Sequence, residues 1–161
     1  MATPSPSPSE VLRDLVGRTT LKAIDIVRVH AERADMFAIG GTLTVSAGHL
    51  AVLPQIEVAF PPEQANGSLT VMVNLLAELD PSPDRESGER QAFGTVAVSA
   101  RLLYSLQGAQ PSAALTHQFG RELAVHHAWP FLRERVNTLA QGIGLAPALL
   151  PLRRIDAGLV D

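Results

Sequence analysis

The 161-residue sequence contains no cysteine. That absence excludes a disulfide framework, a thiolate metal site and a cysteine nucleophile. It fits a reducing compartment, and the expected location is cytoplasmic. Aromatic residues are scarce at 4%, so each one near a binding surface carries more of the contact chemistry. No apolar run reaches the roughly 18 residues that suggest a bilayer span. The start, MATPSPSPSEVLRDL, lacks the apolar stretch of a secretory signal. Positive charge is also short: a formal net charge of −3 argues against a general nucleic-acid binder, which needs a basic patch to meet phosphates.

What is present is ordinary globular material, and at 46% hydrophobic residues a chain of this length builds a core without covalent staples. Residues 1–8 form a Pro/Ser tract that supports neither helix nor ladder and reads as a disordered tail. Residues 9–161 read as a single domain. Ser9 is placed to cap a short helix with Leu12, Leu15 and Val16 on one side, ended by Gly17.

From Leu21 to Ala31 the pattern becomes strand-like, with Ile24 and Ile26 on one face and Ala23, Asp25, Val27 and Val29 on the other. Phe37–Ser46, with Gly40-Gly41 ahead of Thr42–Val45, predicts a second short strand or bulged extension. Val52–Phe60 alternates again and stops at Pro61-Pro62, since proline gives a ladder no donor. Asn66-Gly67 is the best hairpin-turn signal. Two long strands follow, Leu69–Leu79 and Ala92–Leu106, separated by the polar loop Asp80–Arg90. Strands first and helices afterwards predict an α+β fold: an antiparallel β-meander sheet of four or slightly more strands, backed by a long C-terminal helix. The strands occupy about 21–106 and the helical part about 113–161. The sheet's apolar face looks larger than one helix covers, which points to oligomerisation.

After a short helical patch around Ala113–Gly120, Trp129, Leu132, Val136, Leu139 and Ile143 recur at steps of three and four. That is the apolar stripe of an amphipathic helix starting near His127, with Pro130 in its first turn. Pro147 and Pro151 then break Leu145–Leu152 into an extended apolar strap. The run Ala128–Val136, then Leu139, Gly144–Pro147 and Leu149–Pro151, resembles the C-terminal signature of SecB-type chaperones; Ile24–Val29 is similar to that family's first strand.

This resemblance implies a four-stranded antiparallel sheet, assembly as a dimer of dimers with helices in the interface, and ATP-independent holding of non-native polypeptides in apolar grooves. The expected groove is lined by Phe37 and Phe60 from the sheet and by Trp129, Leu145, Leu149 and Leu150 from the C-terminal segment. Leu132, Val136, Leu139 and Ile143 are expected at the subunit interface, and for Trp129 and Val136 core or interface packing is favoured over client contact. The family's acidic tail is replaced by Arg153-Arg154, so client holding is better supported than delivery to a translocase motor.

No chemistry competes with this reading. His126-His127 point about 100° apart on a helix and do not share a metal easily; they read as a surface pair at a helix start. Neither a phosphate loop nor a nucleophile elbow occurs. No enzyme activity, metal or cofactor is expected, nor nucleic acid or membrane insertion. The alternative reading is a small-ligand-binding accessory domain with an apolar pocket over the sheet and a histidine nearby.

Overall fold

A computed structural model of the chain describes residues 7–33, 51–61, 64–80, 94–143 and 150. The predicted strand at Phe37–Ser46 and the groove residues Phe37, Leu145 and Leu149 lie outside the described residues.

Helix α1 spans Pro8–Gly17 and begins two residues earlier than Ser9 predicts. Ser7 is the cap: its Oγ accepts from the Glu10 N–H at 3.3 Å, and the Glu10 carboxylate accepts from the Ser7 N–H at 2.7 Å. This reciprocal capping box holds the Glu10 carboxyl below the usual range. Pro8 fits the first helical position, where a missing N–H costs nothing. Leu12 and Leu15 face inward and are buried.

Four strands follow: β1 (Thr19–Arg33), β2 (Ala51–Ala59), β3 (Ser68–Asp80) and β4 (Gly94–Leu106). They form one antiparallel sheet in the order β1-β4-β3-β2. Strands β2, β3 and β4 run as a meander, while β1 lies along the outer side of β4. Asn66-Gly67 does form a turn, with Gly67 at φ +73° and the Ser68 N–H donating to the Ala65 carbonyl. It closes a longer connection than a two-residue hairpin, because β2 ends at Ala59.

The period of two sets the faces. Leu69, Val71, Val73, Leu75, Ala77 and Leu79 of β3 are buried, as are Val96, Val98, Ala100, Leu102, Tyr104 and Leu106 of β4. Strand β1 departs from strict alternation, since register shifts fall between Leu21 and Ala23 and between Ile26 and Arg28. Each adds an unpaired residue and reverses the phase. Val29 therefore sits opposite Val98, on the same side as Ile24 and Ile26, not with Ala23 and Asp25.

The C-terminal helix is longer than its stripe suggests. Ser112 caps α2 (Ala113–Phe119), accepting from the Leu115 N–H at 3.3 Å. The chain passes through one π turn, Gly120–Ala124, into α3 (Val125–Gly142), making 30 helical residues without a break. Pro130 is consequently inside the helix and not in its first turn. It withholds the hydrogen bond that the His126 carbonyl would accept. Burial of Val125, Ala128, Trp129 and Leu132 on either side anchors the helix across that gap.

Two local devices seat the helices on the sheet. The Arg18 guanidinium donates to the Gln107 and Ala109 carbonyls at 3.1 and 2.7 Å and to Asp14 at 3.1 Å, tying the end of α1 to the chain leaving β4. At Gly120 the helix comes close to the end of β2: a Cβ there would lie 2.6 Å from Val58 Cγ1 and 2.7 Å from Phe60 Cζ. Gly120→Val is expected to destabilise the protein by about 1–3 kcal/mol, as overpacking outweighs the gain in helix propensity. Urea unfolding monitored by far-UV circular dichroism measures this, and an unchanged midpoint would contradict the close approach.

Candidate functional site

The long helix meets the sheet at two seams. At the first, the π turn lies against the end of β2, with Gly120 beside Val58 and Phe60. The Phe60 ring is half-buried and stands edge-on to His117, their centroids 4.7 Å apart at 73°. At the second, Tyr104 of β4 packs edge-on against Phe119 at 5.0 Å, and its hydroxyl is 3.0 Å from His127 Nδ1. Burial pushes the Tyr104 phenol well above its ordinary value. Burial, and then the neighbouring His126, pull the His127 imidazole below its ordinary value. His126 Nδ1 is buried and, among the described residues, has no hydrogen-bond partner.

The histidine pair is thus neither at a helix start nor fully on the surface: both rings are half-buried inside the continuous helix. The reason is the π turn, which carries the helix upstream to Ser112 and lays His127 over Tyr104. Alternation marks Tyr104 as inward-facing in the sequence, but its histidine partner is set by how the helix crosses the sheet.

Of the expected groove residues, Phe60 is brought to the first seam. Trp129 is buried at 6% exposure on α3, and Leu150 is completely buried. Both belong to the core cluster, so either one meets a ligand only from beneath an outer layer. The residues expected between subunits behave similarly. Leu132 and Val136 are fully buried, and Leu139 is half-buried against the same cluster. Ile143 follows the helix end, half-buried. The stripe covers the sheet of its own chain, and the apolar faces of β3 and β4 are closed without a second subunit. The expectation that one helix leaves this face uncovered is corrected accordingly.

The apolar groups left open lie elsewhere. Val27 and Val29 on β1 are 45% and 50% exposed, and Phe131 on the outer side of α3 is 46% exposed. Leu76 and Leu103 emerge on the sheet face opposite the helix. That face also carries the Arg101–Asp25 ion pair at 2.8 Å. A hollow of about 460 Å³ on it has a mixed lining, with Arg28, Glu57 and Asn74 beside Ile56, Leu76 and Ala97. On the helix side of the sheet, the described residues pack as a continuous apolar cluster. Among the described residues no three metal-ligating side chains converge, and no helix is long and apolar enough to cross a membrane.

No family model matches the chain, and no curated protein matches it by sequence. Solved structures do. The chain superposes with a TM-score of 0.70 on the Mycobacterium tuberculosis Rv1957 SecB-like chaperone, solved in complex with a ChAD peptide from the Rv1956 HigA1 antitoxin. The match covers 91% of this chain and 98% of that one at 15% identity. The fold is SecB-like. A second match, a Streptococcus agalactiae protein of unknown function, reaches only TM-score 0.40 at 12% identity, over 83% of this chain and 97% of that one. At such identities the SecB-like likeness rests on strand order and helix placement, not on shared side chains.

Leu132 tests the packing of this SecB-like core. Leu132→Ala is expected to lower the unfolding free energy by about 2–5 kcal/mol, the cost of a cavity in a closed core. The elution position in size-exclusion chromatography should stay unchanged. A shift to smaller species with unaltered stability would instead place Leu132 between subunits.

Proposed function

We propose that this protein is an ATP-independent chaperone that holds non-native polypeptides, and that it does so as a homo-oligomer in the cytoplasm. The observation that carries the reading is the SecB-like fold, whose matched neighbour was solved with a bound antitoxin peptide. Holding requires apolar surface, free main-chain partners and no chemistry. Among the described residues, the open apolar groups and the outer edges of β1 and β2 meet that requirement.

The client groove in this proposal runs beside β2. Phe60 stands at its rim; we assign to it also Phe37, Leu145 and Leu149, which lie outside the described residues, while Trp129 and Leu150 are buried in the core. Phe60 suits the rim: it follows directly on an edge strand and is half-buried beside His117. An extended client there adds main-chain hydrogen bonds along β2 while its side chains meet the aromatic rim. The opposite edge, β1, presents Val27 and Val29 as an open apolar patch among charged neighbours. We assign it, with Phe131, to contacts between copies. The client class is a non-native polypeptide or one dedicated partner such as an antitoxin; delivery to a translocase motor is the less supported use.

Light scattering from a chemically denatured, unrelated protein diluted into buffer without nucleotide tests the proposal. Equimolar chaperone is expected to suppress the scattering, and the protein alone should elute larger than 17.1 kDa at micromolar concentration. Phe60→Asp should weaken suppression at least about five-fold while the circular dichroism spectrum stays native. A monomer that leaves aggregation untouched would overturn the reading.

A further inference from the structure

The Tyr104 side chain is 1% exposed, and among the described residues its hydroxyl has a single hydrogen-bond partner, His127 Nδ1. A buried hydroxyl needs an acceptor for its proton. The one at hand is the Nδ1 lone pair, so neutral His127 carries its own proton on Nε2 and the Tyr104 O–H donates. This bond joins the sheet to the helix just after the π turn, where the head of α3 begins.

Protonating His127 reverses the arrangement. Nδ1 becomes a donor and faces a second donor, and the hydroxyl proton must turn toward Phe119 and the surrounding aliphatic core. We propose that the Tyr104–His127 contact is an acid-sensitive latch between the sheet and α3, closed while His127 is neutral and opened by its protonation.

The groups around His127 do not welcome an imidazolium. Strand β4 presents Tyr104 to the helix; its Arg101 lies on the other face of the sheet, paired with Asp25. Strand β1 turns Leu21, Ile24 and Ile26 toward the core. Its Lys22 is exposed at a bulge, and Arg28 pairs in register with Ser99 on the far face. Strand β3 offers Leu69 and Val71. The π turn adds Arg121 and Glu122, both exposed, and α3 adds His126, Arg133 and Glu134. Among the described residues no carboxylate pairs with His127. His126, whose Nδ1 is buried without a partner among the described residues, stands beside it and further disfavours a charge on His127.

The sign follows from linkage. Folding holds His127 below the roughly 6.5 of an unfolded histidine. Between those two values the unfolded chain binds more protons, so stability is intact above about pH 6.5 and is lost as pH falls toward the folded value. The latch itself does not depend on what the protein binds. Its use, loosening the helix beside the groove so that a client leaves in acid, rests on the proposed chaperone function.

Thermal melts at pH 7.5 and 5.5, with an NMR titration of the histidine ring protons, test the latch on the full chain without a client. The wild-type melting temperature is expected to fall by about 3 °C or more between the two pH values. His127→Gln, which keeps an acceptor but does not titrate, should remove most of that fall, whereas His126→Gln should retain it. Tyr104→Phe should move the His127 titration upward toward the ordinary value. A wild-type His127 that titrates at or above about 6.5, or an undiminished acid fall in His127→Gln, would overturn the proposal. Should Tyr104→Phe fail to fold, the His127→Gln comparison decides alone. Because no client is present, failure of the latch and failure of the chaperone function register separately.

Discussion

The apolar face shared by β3 and β4 has to be covered, and a continuous helix from Ala113 to Gly142 does most of the covering. Each buried Leu or Val on these strands is worth about 1.5–3 kcal/mol against exposure, so this contact dominates the stability of the chain. Other features serve it. Gly120 permits a close approach to β2, the π turn carries the helix on toward β4, and Arg18 ties α1 to the end of the sheet. Pro130 survives inside α3 because packing on both sides replaces what one backbone hydrogen bond would supply.

Closing the core within one chain restricts where anything else can bind. The described helix side is filled, so in the proposed function clients meet the β2 edge and the rim at Phe60, while β1 and Phe131 are left for contacts between copies. Edges suit a holding function: they offer hydrogen-bonding groups without sequence preference. The polar contact of Tyr104 with His127 inside the seam is of a different kind. It adds little to burial, yet it makes the helix–sheet contact depend on a proton.

Much of the fold was legible because strands announce themselves with a period of two. The faces of β3 and β4 follow residue by residue from alternation, and the turn at Asn66-Gly67 from its dipeptide. What escaped was non-local. Bulges in β1 change the phase at Val29 without any mark in composition. Pro130 reads as a helix start because propensity places proline there, whereas tertiary packing carries the helix through it. The same error concealed the Tyr104–His127 contact, since a helix begun near His127 leaves both histidines at the surface. At the candidate site, the SecB-type resemblance points to α3 but not to which of its faces is free. Leu132, Val136 and Trp129 turn out to be buried, while Phe131, which no stripe selects, is open.

Amide hydrogen exchange with and without a permanently unfolded polypeptide tests most directly the claim that clients bind at the edges of a core closed by its own helix. The account predicts slower exchange along β2 and around Phe60 in the presence of the client, with Leu132–Ala140 of α3 unchanged. Altered exchange across α3, without protection at the sheet edges, would mean that the helix leaves the sheet to bind, and would contradict it.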